Sequence, residues 1–531
     1  MVMLVLGNGL KAQTVASADK PTAYIITVQP IVVCADDGSD PASMALPEDM
    51  VDKAYSKADI DFYFVEPIYY HNTKARDGLI NLDEILVQAK RDNILRGYGN
   101  IVNMFFVNAV DGKKGPLGRG AFGGSVTFIA LDKNSKKEHL KDMETFVIAH
   151  EVGHNLGLAH AVDDENVPKD VPNIMGEGEF GKRIDPEFSL TPYQIGIIYK
   201  SELVKPRINF LKEEEARNAI LDETFEPYFS QLQKKEVAAF TSQKIPYNNI
   251  DEIRTFARDK FVSALISFSP KEQEALSFVV GEIDQLLLKN EINLPARHPW
   301  NFIKVQPWLC GGFAHTRGNT IVLSEKYLKF IEEHYKADMN PEERFTLLSK
   351  IGPVLLHEQM HTLERTHPLL FEKLYTSGWN FKKADVKAFP EITLNQVSNP
   401  DAPIANWLIP ITGEQNFYYW PRTLLKENKE IPEMGKDFKD VLFKVQLKDG
   451  QYTVQTDNKG RPLSIALDDY SSYTNSFPVK HGLDHPNEIT AYMMAETFKS
   501  LLAKQTPFDH SDKEARLYSE KFIEWYKKEM K

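Results

Sequence analysis

The stretch His150-Glu151-Val152-Gly153-His154-Asn155-Leu156-Gly157-Leu158-Ala159-His160 decides how this chain is read. It has the form H-E-x-x-H-x-x-G-x-x-H. Residues four apart lie on one face of a helix, so His150 and His154 can grip one metal ion. Zinc accepts neutral histidine nitrogen at roughly 2.0–2.1 Å and, when catalytic, keeps three protein ligands and one open position. Glu151 stands beside the first ligand, where a carboxylate can take a proton from water activated by the metal. Gly157 can enter a left-handed conformation at little steric cost, which lets the chain turn back and bring in His160 as third ligand. Requiring the glycine and the third histidine makes the match far rarer than H-E-x-x-H alone.

The chain has 531 residues, too long for a single core and enough for several domains. Its charged (26%) and hydrophobic (42%) fractions are those of a globular protein, and the net charge of −12 argues against nucleic-acid binding. No run of about twenty apolar residues is present, so no membrane span is expected. Residues 1–19 open on Met1-Val2-Met3-Leu4-Val5-Leu6 and read as leader-like or disordered, from which we expect a secreted or periplasmic protein. Cys34 and Cys310 are expected to be buried thiols, since a disulfide would have to join two domains.

Residues 20–207 read as the first domain. Residues 22–34 are β-branched and apolar and predict a strand or two, followed by a turn at Asp37-Gly38-Ser39. Pro47 to Ile60 is helical in pattern, residues 61–65 and 101–107 predict strands, and residues 80–95 a helix. A glycine-rich loop (Gly115, Gly118, Gly120, Gly123, Gly124) leads into a strand ending at Ala130, and the motif helix runs from Phe146 to Leu156.

The motif is followed by Asn173-Ile174-Met175-Gly176 and Leu190-Thr191-Pro192-Tyr193-Gln194-Ile195. Together these residues resemble the metzincin clan of zinc endopeptidases, in particular its matrixin-like members. The resemblance implies that Met175 forms the turn beneath the metal and that residues 190–195 start the C-terminal helix. It also implies that the strand Gly124 to Ala130 is the edge on which an extended peptide substrate pairs. Ala161, where many members carry Ser or Asp, leaves the subfamily open.

Residues 208–531 read as a second domain with a helical start, marked by Glu213-Glu214-Glu215 and Lys234-Lys235-Glu236. A second H-E-x-x-H occurs at His357-Glu358-Gln359-Met360-His361, on a helix expected to begin near Gly352-Pro353, behind a separate helix capped at Asn340. His367 copies the offset of His160, but Glu364 stands where Gly157 would be. On a continuous helix His367 lies about 15 Å along the axis from His357, out of reach of a shared metal. Glu488, opening a helix from Pro486 to about Leu502, is the favoured third ligand, with Glu496 as the fallback. This arrangement resembles the gluzincins, in which a glutamate on a later helix completes the site, and the segment 220–510 resembles uncharacterised bacterial zinc peptidases. The 127 residues between His361 and Glu488, and Tyr492 where an acidic residue is common, depart from that pattern. The segment Gly311 to Leu323 reads as a turn feeding a strand, either an edge strand or an ordinary hairpin. His481, His485, Tyr470 and Tyr473 are candidates for an oxyanion donor.

We therefore expect an α+β protein of two zincin-like domains in tandem, each a twisted mixed sheet packed on an HExxH helix. One Zn2+ would be held by His150, His154 and His160, with Glu151 as base; a second by His357, His361 and Glu488, with Glu358 as base. The expected activity is hydrolysis of protein or peptide substrates. The alternatives are one active protease with an inactive zincin-derived recognition domain, and a non-enzymatic zinc-stabilised binding protein, which the absence of four-ligand cysteine sites disfavours.

Overall fold

The computed structural model describes residues 22–97, 100–113, 117–131, 139–169, 171–176, 190–426, 429–508 and 513–530. The leader-like stretch, Gly115 and the segment directly after Gly176 lie outside them. The architecture is α+β, built on three sheets.

The first sheet comprises β1 (Tyr24–Cys34), β2 (Ile60–Phe64), β3 (Ile68–His71), β4 (Val102–Val107), β5 (Leu117–Gly120), β6 (Val126–Ala130) and β7 (Lys205–Pro206). Its order is β2-β1-β4-β6-β5, with β3 and β7 also on β1. β1, β2, β3, β4 and β6 run parallel; β5 and β7 are antiparallel. The central strands β1, β4 and β6 are almost wholly buried and mainly apolar because both faces are covered, with Gln29, Asn103 and Thr127 among the buried polar residues. One face packs on the helix His139–Asn155, through Ile148, Ala149 and Val152, and the other on the helix Leu82–Arg91. The peptide-pairing edge expected at Gly124 to Ala130 is corrected here: β6 is paired on both sides, and the open edge is β5.

The second sheet comprises β8 (Ile208–Phe210), β9 (Leu265–Ile266), β10 (Trp300–Val305), β11 (His315–Arg317) and β12 (Thr320–Ser324), in the order β11-β12-β10-β8 with β9 on β10. It repeats one device of the first: a parallel strand, β12, followed by an antiparallel edge strand, β11. The segment Gly311 to Leu323 is thus both a hairpin and an edge. Beneath it runs one helix of 26 residues, Pro341–Thr366, not two as expected from Pro353. Proline there removes one N–H, yet the helix continues. Gly352 lies where the helix Pro486–Leu502 crosses, and a Cβ on it would stand 2.3 Å from the Phe498 ring. The Gly-Pro pair marks a close crossing rather than a helix start.

The third sheet explains the long gap before Glu488. β13 (Lys382–Lys383), β14 (Val386–Lys387), β15 (Trp407–Pro410), β16 (Phe417–Leu425), β17 (Phe438–Lys448), β18 (Gln451–Val454) and β19 (Ser464–Ala466) form a largely antiparallel sheet inserted between the two helices of the second cluster. It has its own small core around Trp420, Phe443 and Val445.

The chain passes from the first sheet to the second between Pro206 and Ile208, and Arg207 bonds Asp61, Thr22 and Ala296. His367 caps the long helix and contacts the Tyr63 hydroxyl at 3.2 Å. Cys34 and Cys310 are free, buried thiols. Among the described residues no helix is long and apolar enough to cross a membrane.

Two candidate metal centres

The first cluster forms at the end of the helix His139–Asn155. The helix stops in a Schellman turn: Leu158 N–H bonds Gly153 O and Gly157 N–H bonds His154 O, with Gly157 at φ +88°. This turn returns the chain and sets His160 against His154, their Nε2 atoms 3.1 Å apart. His150, His154 and His160 each offer a nitrogen within 4.8 Å of the others.

The tautomers are fixed from behind. His150 Nδ1 lies 2.8 Å from Ile174 O, and His154 Nδ1 2.8 Å from Leu158 O. Each Nδ1–H donates to a carbonyl, which leaves both Nε2 lone pairs bare and facing the cluster. Burial lowers the affinity of His150 (to about 4) and of His154 for protons, so both are neutral near pH 7. Three histidine nitrogens converging within 4.8 Å, two of them on rings whose Nδ1–H is held by a carbonyl, form a donor set that fits zinc.

Glu151 is buried beneath β5. Its Oε2 accepts the Gly120 amide at 2.6 Å, and burial pushes its carboxyl up to about 7 against that hydrogen bond. Two glycines permit this contact. A Cβ on Gly118 would stand 2.2 Å from Glu151 Cγ, and one on Gly120 2.1 Å from Glu151 O. Met175 is fully buried under the helix, and a Cβ on Gly153 would stand 2.4 Å from its sulfur. The Met175 turn is held by Asn173, whose Oδ1 accepts Met175 N–H at 2.9 Å. Asn173 also exchanges two amide hydrogen bonds with Gln194, the capping-box residue of the helix Pro192–Ile198. The sequence shows Gly118 and Gly120 only as part of a glycine-rich loop and Asn173 and Gln194 only as part of quoted stretches, and Gly153 only as a position inside the motif; nothing local in a glycine or amide marks such contacts.

The second cluster joins two helices. His357 and His361 sit one turn apart with Nε2 atoms at 3.1 Å, and Glu488 brings Oε2 to 3.4 Å from His357 Nε2 and Oε1 to 3.6 Å from His361 Nε2. Glu496 is outside the cluster, paired with Lys499 on an exposed face. His367 is turned away, towards Tyr63 and Thr366. Burial opposes the ionised form of Glu488, but His361, His357 and the Asn399 amide outweigh it and hold the carboxyl low.

Glu364, read from sequence only as a missing glycine, orients the ligand. Its Oε2 lies 2.9 Å from His361 Nδ1, and its Oε1 accepts the Tyr375 hydroxyl at 2.8 Å. Its i+3 spacing from His361 is the signal that could have revealed it. Burial, Asp401 and Glu488 push the Glu358 carboxyl well up, and its Oε2 has no partner among the described residues. Two imidazole nitrogens and a carboxylate within 4.8 Å of one another again fit a divalent cation.

Of the proposed oxyanion donors, Tyr473 is spent on Leu483 O and His485 caps its own helix by accepting Asn487 N–H while contacting Ile404 O. Tyr470 packs against Tyr419 and Tyr473. His481 contacts Tyr492, and it is the Tyr492 ring that lies over His357, with centroids 4.5 Å apart.

No protein-family profile and no curated protein matches the chain. Among solved structures, archaemetzincin from Archaeoglobus fulgidus, complexed with malonate, is similar at 14% identity over 33% of this chain and 99% of that one, with a TM-score of 0.21. Archaemetzincin from Methanopyrus kandleri is similar at 11% identity over 33% of this chain and 94% of that one, also with a TM-score of 0.21. Likenesses this distant carry no weight below; the reading rests on the two clusters.

Proposed function

We propose that the chain is a zinc-dependent endopeptidase with two zincin-like catalytic centres in tandem, exported from the cytoplasm and acting on protein or peptide substrates. The observation that carries this is the first cluster: three histidine nitrogens converge, two of them on rings whose Nδ1–H is held by a backbone carbonyl and which burial keeps neutral, with a buried carboxylate alongside. Zinc, held there by His150, His154 and His160, would supply Lewis acidity to the scissile carbonyl and its attacking water.

The remaining steps belong to the chain itself. β5 offers its free edge to an extended peptide, which main-chain hydrogen bonds would hold across the cluster. Glu151 takes a proton from the attacking water and returns it to the leaving nitrogen, a task suited to a carboxyl lifted towards neutrality. Met175 and Asn173 keep the floor rigid so that the ligands keep their geometry. In the second centre His357, His361 and Glu488 would hold zinc, and Glu358 would move the proton.

The test is cleavage of a denatured protein by the wild type, Glu151→Gln, Glu358→Gln and the double variant. Each single change is expected to remove part of the activity and the double to abolish it. Full activity in Glu151→Gln would remove the first centre from the mechanism. Loss of all activity in Glu151→Gln alone would favour a single protease with a non-catalytic second domain.

A further inference from the structure

We propose that the cavity beside the second metal cluster is a substrate side-chain pocket that selects lysine or arginine. This rests on reading the second cluster as a peptidase centre. The cavity has a volume of about 320 Å³, and Glu488 and Tyr492 line it, so it opens directly onto the cluster. Phe313, Ala314 and His315 line it too, and they lead into the edge strand β11.

Two features of the lining set its chemistry. Phe240, Phe313, Val397, Met434 and Phe438 make an apolar wall suited to an aliphatic stem. Asp440, which is exposed, and the half-buried Asp484 also line it, bridged by Thr423, whose Oγ1 lies 2.6 Å from Asp440 Oδ1 and 3.2 Å from Asp484 Oδ2. A hydroxyl has one proton, so it can satisfy only one of the two carboxylates. The Asp484 carboxyl is raised to about 7, by burial first and then by Asp440, and the Asp440 carboxyl is raised by loss of surrounding solvent and by Asp468. Such a pair gains from a cation.

No lysine or arginine is among the described residues of the lining. Arg422 lies within electrostatic reach of Asp484, but its guanidinium donates to Gln396 and stacks on Trp420. Asp401 is already taken by the Thr316 amide and hydroxyl. A second, independent sign of an incomplete site is His315. It is 2% exposed, contacts Phe313 O through Nδ1, and leaves Nε2 without a partner among the described residues. A long cationic side chain would supply the missing donors and counter-charge together.

The experiment uses zinc-loaded Glu151→Gln/Glu358→Gln protein, which cleaves at neither centre, and fluorescent oligoalanine peptides carrying one central Lys, Arg, Leu or Glu, followed by anisotropy at fixed ionic strength. The Lys and Arg peptides should bind at least about tenfold tighter than the Leu peptide, a difference of about 1.4 kcal/mol. Asp440→Asn should erase that preference and leave Leu-peptide binding unchanged. Thr423→Val, which keeps both carboxylates, should retain it. Equal binding of Leu, or tighter binding of Glu, overturns the proposal. If no peptide binds, the peptidase reading of this cluster fails, and butylguanidinium then decides the pocket. A thermal shift present in wild type and absent in Asp440→Asn supports the pocket, and no shift in wild type overturns it.

Discussion

Replacing Gly157 with alanine tests the turn that makes the first cluster. Gly157 sits at φ +88°, and a Cβ there would meet only Ile197 Cγ2 at 3.6 Å, an ordinary contact. The cost is therefore conformational, about 1–2 kcal/mol for an L-residue held left-handed. The metal-free chain can relieve that strain by letting the turn drift and carrying His160 away; the metal-bound chain cannot. Zinc affinity at the first cluster should fall about 5–30-fold, the same energy expressed as a binding ratio. Competition with a chromophoric chelator measures it, and the second cluster, with no such glycine, serves as an internal reference that should not change. Gly112→Ala is the control for backbone cost. It also has positive φ (+72°) and open space, but lies away from both clusters, so it should lower stability without changing either affinity. An unchanged first-site affinity in Gly157→Ala, or an equal fall at both sites, would refute the reasoning.

Other outcomes follow from named contacts. Glu364→Ala removes the group that orients His361 Nδ1, and should weaken zinc at the second cluster about 10–100-fold while sparing the first, read by the same competition. Asn173→Ala strands the buried Gln194 amide and frees the Met175 turn; it should cost about 1–3 kcal/mol in urea unfolding. Lys304→Met leaves Glu272 buried and unpaired, with an expected loss of about 3–5 kcal/mol by the same measurement. Burial raises the Asp52 carboxyl from 3.8 to about 8 and Glu48 from 4.5 to about 7, so folding takes up protons. Their contribution is fully favourable below the lower values and is lost as pH rises through the upper ones. Asp52→Asn should flatten the decline in unfolding free energy between pH 4 and 8, and an unaltered slope would count against it.

Much of the first cluster was legible because its chemistry is local. Ligands, base and turn glycine lie within eleven residues, and helix geometry alone brings them together. Met175 was readable for a similar reason, as part of a short motif at a short distance. The edge strand was misread because Leu117-Gly118-Arg119-Gly120 has no β-branched residue. Those glycines are there because Glu151 packs directly beneath them, a long-range fact that composition reports only as a loop. Pro353 was misread on the same ground: proline suits a helix start, and only the crossing helix at Phe498 shows why Gly352 precedes it. Glu488 was reached through the resemblance to the gluzincins, in which a glutamate on a later helix completes the site, although the inserted third sheet made the gap look wrong. Glu364 was visible but read for what it was not. Its partners, Tyr375 and His361, show that the second cluster needs no turn, because its third ligand arrives on another helix.

The most direct test of the account is zinc content per chain after exhaustive dialysis, measured for the wild type, His154→Ala and His361→Ala. Two zinc ions are expected in the wild type and one in each variant, the surviving ion differing between them. One ion in the wild type, or loss of both from a single change, would contradict it.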